Sequence, residues 1–267
     1  MKKEIEIFFT GLMFYTRIPI PKNIHFKKEY SIESIKYLPL IGLLVGALSA
    51  FILIISLFIL PVSIAVIISM VCSLLLTGAF HEDGLADTVD GFGGGWHKEK
   101  ILLIMKDSTI GAYGAIALIM VFLLKYQLLV ALVDLPIANG ISNPYFIFFV
   151  LLAGHSLSRG AAVSAMITHS YARINDDTSK LKSIAPKSLK WTSPAFILAL
   201  AFALFPLFLF QSPYIFLLIF PVYLAKVLLS RFFNTWIGGY TGDCLGAIQQ
   251  ICELIFYISI LILWKYI

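Results

Sequence analysis

Seven stretches of nearly unbroken apolar residues cover most of the chain, at 37–60, 61–80, 111–133, 145–168, 194–210, 214–230 and 250–266. Each is close to the roughly 20 residues that carry a helix across a hydrocarbon core of about 30 Å. The first two read as a hairpin turned at Pro61, and the fifth and sixth as one turned at Gln211-Ser212-Pro213. The conspicuous polar clusters lie in or beside the connections, and no repeat or linker divides the chain. The pattern predicts an all-α fold: a polytopic integral membrane bundle of about seven transmembrane helices, forming one domain over 1–267.

Composition agrees. The chain is 60% hydrophobic and 13% charged, with mean hydropathy +0.92. A soluble domain would be about a quarter charged, so lipid is the solvent for most of this chain. The start, "MKKEIEIFFTGLMFYTRIPIP", lacks the long apolar run and small-residue cleavage site of a signal peptide. It reads instead as an interfacial helix ending before Pro19. Cys72, Cys244 and Cys252 show no metal-type spacing and are expected to be free thiols.

Charge sets the expected orientation. Lys2, Lys3, Arg17, Lys22, Lys27, Lys28 and Lys36 precede the first span, and Lys98, Lys100 and Lys106 lie in the 81–110 loop. Arg173, Lys180, Lys182, Lys187 and Lys190 fill the 169–193 loop. The opposite connections, around Pro61, 134–144 and 211–213, contain neither Lys nor Arg. By the positive-inside rule the N-terminus and the long polar loops face the cytoplasm, in an inner membrane. The +5 net charge is then topology, and nucleic acid is not needed as a partner.

The polar clusters gather on that same side. "HEDGLADTVDGFGGGW" begins at His81, directly after the second span. Asp83, Asp87 and Asp90 are spaced i, i+4, i+7, which on a continuing helix puts them on one face within about 10 Å. Like charges so placed repel unless a cation neutralises them. Mg2+ commonly takes one or two carboxylates and completes its shell with substrate phosphate. The glycines that follow, Gly91 and Gly93–Gly95, suit a turn whose backbone approaches phosphate. A solvated helix end would also carry acidic residues. His81 fits either an interfacial aromatic or an acid–base group, and Glu82 lies off the Asp face.

Three further groups carry candidate chemistry. Lys106-Asp107-Ser108 precedes the third span, and a Lys there suits phosphate as a point charge. "GGYTGDCLGA" at 238–247 is too glycine-rich for good helix, and unwound backbone at a membrane survives where it lines a polar cavity. Asp243 could complete a metal site from a second span, with Thr241 beside it. His155 and Arg159 share a face inside the fourth span, where Arg159 meets either phosphate or a helix carboxylate. Lys125 and Lys226 read as snorkelling or structurally paired.

"FHEDGLADTVDGFGGGW" at 80–96, "IMKDSTIGAYGAIAL" at 104–118 and "GGYTGDCLGAIQQICE" at 238–253 resemble the signature blocks of the cobalamin synthase family, the adenosylcobinamide-GDP ribazoletransferases. "FYTRIPIP" at 14–21 and "SRGAA" at 158–162 extend the resemblance along the whole chain. Thr109 stands where the family pattern suggests Arg, and Val89 where it suggests Ala. The resemblance implies a Mg2+-dependent membrane transferase that joins adenosylcobinamide-GDP to α-ribazole, or its 5′-phosphate, and releases GMP. It implies Asp83, Asp87, Asp90 and Asp243 as metal ligands. His81, Asp83 and Asp87 would be catalytic, and Gly93, Gly94, Lys106, Asp107, Ser108, Arg159 and Thr241 would be in contact with substrate. The implied partners are these two small molecules and the bilayer; both monomer and homo-oligomer are compatible with the sequence.

Rival readings remain at this level. "DGLAD" at 83–87 echoes the opening of CDP-alcohol phosphotransferases, although Asp87 occupies that motif's Arg position. A cation-coupled transporter could use the Asp face as an ion path, but would be expected to mark both faces. An intramembrane aspartyl protease needs a second Asp within a span, and every apolar span here lacks one.

Overall fold

The computed structural model describes residues 2–135, 143–172 and 190–266. An N-terminal helix, α1 (Lys2–Tyr15), precedes a short α2 (Lys28–Glu33) that runs through a 3-10 turn into α3 (Leu38–Leu57). The chain continues through α4 (Val62–Thr77), α5 (Phe80–Gly94), α6 (Lys98–Ile104), α7 (Ala112–Val133) and α8 (Asn143–Thr168). It ends with α9 (Pro194–Leu204), α10 (Ile219–Ile237) and α11 (Gly242–Tyr266). Prolines and short polar side chains set the starts: Pro61 caps α4, while Ser193 Oγ accepts the Phe196 N–H ahead of α9.

The all-α architecture and the N-terminal helix match the pattern of the sequence; the count of seven spans does not. Among the described residues, five helices are long and apolar enough to cross a membrane alone: 28–57, α7, α8, 213–237 and α11. A sixth appears only if α4 and α5, bent by 87° at their junction, count as one broken span. The stretch at 194–210 forms α9 and a 3-10 extension, together a shorter apolar helix. Proline accounts for its break, since Pro206 supplies no N–H to the helical ladder.

α8 lies at the centre. Of its apolar window 83% is buried, against 28% for the helix at 213–237. α3 lies closely against α8, with Gly42 and Gly46 facing the backbone of His155 and Leu151. Phe58 is 80% exposed and Phe220 72%, as side chains turned toward lipid would be. All three cysteines are free thiols, Cys244 and Cys252 buried and Cys72 half-buried. Lys226 is buried and donates to Thr168 Oγ1 at 2.9 Å. Of the basic loop at 169–193, residues 173–189 lie outside the described residues.

Candidate active site

α4 ends at Gly78, whose φ of +65° is open to glycine, and Ala79 follows at +56°. Two successive left-handed residues re-aim the chain, so α5 leaves α4 at 87°. The residues 83, 87 and 90 do fall on one helix, but their surroundings differ. Asp83 is exposed, Asp87 half-buried and Asp90 buried. Asp90 Oδ2 accepts the Gly111 N–H at 2.7 Å and Oδ1 accepts the Gly114 N–H at 2.9 Å. These are orphan amides of the first turn of α7, where a negative charge also meets the positive end of the helix dipole. Asp90 therefore caps α7 from outside.

Among the described residues, no group of three or more His, Cys, Asp or Glu side chains is placed to hold a metal ion. A closed cage of protein ligands is absent there. On α5 the Asp83 carboxylate is exposed and that of Asp87 half-buried, and Asp243 at the start of α11 is half-buried too. A β-carbon added to Gly84 would lie 3.0 Å from the Asp243 carbonyl oxygen and 3.1 Å from its Cα. One added to Gly246 would lie 2.9 Å from the His81 carbonyl oxygen. α5 and the first turns of α11 thus touch backbone to backbone, with the Asp243 main chain against Gly84. Asp83 and Asp87, one turn apart on α5, are hard oxygen donors of the kind Mg2+ takes one or two of when phosphate and water complete its shell.

The segment before α11 is irregular only as far as Thr241. There Tyr240 N–H donates to the Ser170 carbonyl at 3.0 Å, which ties this turn to the end of α8. Thr241 Oγ1 accepts the Cys244 N–H at 3.2 Å and lies 3.2 Å from Asp243 Oδ2, an N-cap for α11. Its oxygen is also 3.9 Å from Met105 Sδ, which brings the 105–110 loop against the same end. Lys106, Asp107 and Ser108 are exposed on that loop. Asp107 Oδ1 accepts both the Thr109 hydroxyl, at 2.7 Å, and its N–H, at 3.0 Å. These two bonds, the hydroxyl's first, hold the Asp107 carboxyl below the usual carboxylate range.

One expectation changes. The glycine run predicts a turn at Gly93 and Gly94, but α5 continues through Gly94. Gly93 lies against the Tyr113 ring, and packing of this kind offsets glycine's poor helix propensity. Arg159 is inside the bundle and only 2% exposed. Its Nη1 donates to the His155 carbonyl at 2.8 Å, and its Nε has no partner. His81 is buried, edge-on to Phe80 at 5.4 Å between ring centres. It borders a narrow apolar cleft that Phe14, Tyr15 and Met166 also line.

The feature not anticipated is a polar cluster sealed among α5, α7, α8 and α11. Glu253 is its hub: Oε1 receives Lys125 Nζ at 2.6 Å and the Tyr257 hydroxyl at 3.0 Å, and Oε2 receives Gln249 Nε2 at 2.7 Å. His155 Nδ1 is 3.7 Å from the same carboxylate. Gln250 Nε2 reaches Gln249 Oε1 at 2.7 Å and Glu82 Oε1 at 2.9 Å. The signal was in the sequence: a Lys inside one apolar span and a Glu inside another each require an opposite charge.

A family model described as cobalamin-5-phosphate synthase matches residues 7–261. The adenosylcobinamide-GDP ribazoletransferase of Shewanella amazonensis is 41% identical over 264 residues, 99% of this chain and 98% of its own length. Those of Shewanella frigidimarina and Shewanella oneidensis are each 44% identical, over 97% of this chain and 95% of their own. No solved structure matches significantly.

Proposed function

The chain belongs to the cobalamin-5-phosphate synthase family, and from that membership and the geometry of α5 and α11 we propose that it is an adenosylcobinamide-GDP ribazoletransferase. It joins adenosylcobinamide-GDP to α-ribazole, or to its 5′-phosphate, and releases GMP, late in cobalamin synthesis. The observation that carries the site is the contact of Gly84 with the backbone of Asp243. It brings the start of α11, which carries Asp243, against the helix that carries Asp83 and Asp87.

In this reaction a ribose hydroxyl oxygen of the acceptor bonds to the cobinamide-side phosphorus. The bond from that phosphorus to the bridging oxygen breaks, and GMP departs with the oxygen. Such a transfer depends on alignment and charge neutralisation more than on covalent help. Asp83 and Asp87 would hold Mg2+, which when bound supplies positive charge to the diphosphate and the departing GMP. Asp90 keeps its two amides and contributes by fixing α5 to α7. Lys106 on the exposed loop offers a further positive charge to phosphate. The hydroxyl proton passes to His81, which borders the apolar cleft, or to an α5 aspartate.

The charge asymmetry of the connections supports an inner-membrane protein whose N-terminus and active-site loops face the cytoplasm. Product analysis tests the reading. Membranes carrying the chain, supplied with Mg2+, adenosylcobinamide-GDP and α-ribazole 5′-phosphate, yield adenosylcobalamin 5′-phosphate and GMP in equal amounts. Turnover of a CDP-lipid in place of the corrinoid nucleotide would overturn it.

A further inference from the structure

Lipid-embedded charge is expensive, and a buried ion pair can often be replaced by apolar residues of similar size without loss of stability. The Glu253 cluster therefore calls for a role besides holding the bundle together. Its position suggests one. α5 and α11 meet at Gly84 and Gly246, a close contact without side chains, and a smooth contact of this kind fixes distance but not register. One turn deeper on α11, Gln250 Nε2 donates to Glu82 Oε1 at 2.9 Å. Glu82 is the residue before Asp83, and its other oxygen, Oε2, has no partner.

We propose that the Glu82–Gln250 bond is the register lock of the acidic site. It sets where Asp83 and Asp87 stand relative to Asp243, and both its members are positioning residues for the transfer. Gln250 is itself held by the Gln249 side-chain oxygen at 2.7 Å. Gln249 is anchored in turn to Glu253 and to Ser158 Oγ at 3.1 Å. The chain of bonds runs from the central helix α8 through α11 to α5, so the helix after the 87° bend takes its register along α11 from the most buried one. A hydrogen bond is directional and short-ranged, so it specifies a sliding coordinate that van der Waals contact leaves soft.

The inference rests on the transferase reading, and the unmodified chain is the control that separates the two. Absence of product from it defeats that reading, whereas product from it with unaffected variants defeats only the register lock. The test pairs E82M/Q250M, which exchanges both partners for apolar side chains of similar length, with E82Q, which keeps a side-chain oxygen as acceptor for the Gln250 amide. Expected for the Met pair is an unchanged or higher thermal midpoint in detergent, kcat lowered at least tenfold, and KM for both substrates within twofold. E82Q keeps most of kcat. Spin labels on D83C and D243C, with Cys72 replaced by Ser, read the same register without turnover: their dipolar broadening weakens in the Met pair and holds in E82Q. A folded Met pair with unchanged kcat and unchanged broadening overturns the proposal, as does a folded E82Q that loses both. Should the Met pair fail to insert, Q250N draws the amide back by one methylene; lowered kcat and weakened broadening then support the lock, and no change in either overturns it.

Discussion

Asp90 Oδ2 accepts the backbone N–H of Gly111 at 2.7 Å, across 21 positions of sequence, and the second oxygen takes Gly114. The carboxylate thereby starts α7. Asp90→Ala leaves two first-turn amides without an acceptor and should cost about 0.5–2 kcal/mol, the usual range for a lost cap. Expected is a lower thermal midpoint, with turnover falling far less than in Asp83→Asn. Equal loss of turnover in both, at unchanged midpoint, would return Asp90 to the metal site.

Asp83→Asn and Asp87→Asn keep shape and remove charge. Each should lower turnover by about a hundredfold or more, the scale seen when a group that meets transition-state charge is deleted. Membrane insertion and thermal midpoint should hold, because Asp83 is exposed and Asp87 half-buried. Chelation of divalent cations should stop the unmodified chain reversibly. Mg2+ should restore it better than Ca2+, whose larger, looser shell suits a two-carboxylate site less well. Activity that survives chelation removes the metal from the mechanism.

The sequence makes the helical class plain because apolar runs near 20 residues need no partner to be recognised, and α3, α7 and α8 follow their predicted spans. It does not reveal the bend at Gly78-Ala79, since only the glycine announces a left-handed residue and Ala79 shares that conformation. Helical spacing places Asp83, Asp87 and Asp90 on one side of α5; it cannot show that α7 covers the end at Asp90. The Glu253 cluster is hidden for a related reason. Gln249 and Gln250 stand at the edge of an apolar run, so the pattern starts the last span at 250, whereas α11 begins at Gly242. Which of Lys125, His155 and Arg159 meets Glu253 is a matter of helix rotation, and the moderate polarity of each span leaves rotation open.

The closeness of α5 and α11 gives a steric prediction. Gly84→Ala puts a β-carbon 3.0 Å from a backbone oxygen of Asp243, and Gly246→Ala puts one 2.9 Å from that of His81. Backbone cannot rotate away as a side chain can, so the helices must part. A cost of about 1–3 kcal/mol is expected for such overpacking, along with a tenfold or greater loss of turnover as Asp243 retreats from Asp83. Activity at the unmodified level in Gly84→Ala would show that the two helices need not touch for the reaction.

Orientation can be read with thiol labelling. Lys100 and Gln211 are both exposed and lie in connections that the charge pattern assigns to opposite sides. The background is quiet, since Cys244 and Cys252 are buried and Cys72 is half-buried. Lys-rich loops are retained in the cytoplasm, while the turn at 211–213 carries no basic residue to hold it there. A membrane-impermeant maleimide should therefore mark Gln211→Cys in intact cells or spheroplasts and mark Lys100→Cys only in inverted vesicles. The reverse pattern would place the acidic surface of α5 outside, away from cytoplasmic nucleotides, and the transferase reading would then need substrates delivered to the opposite face.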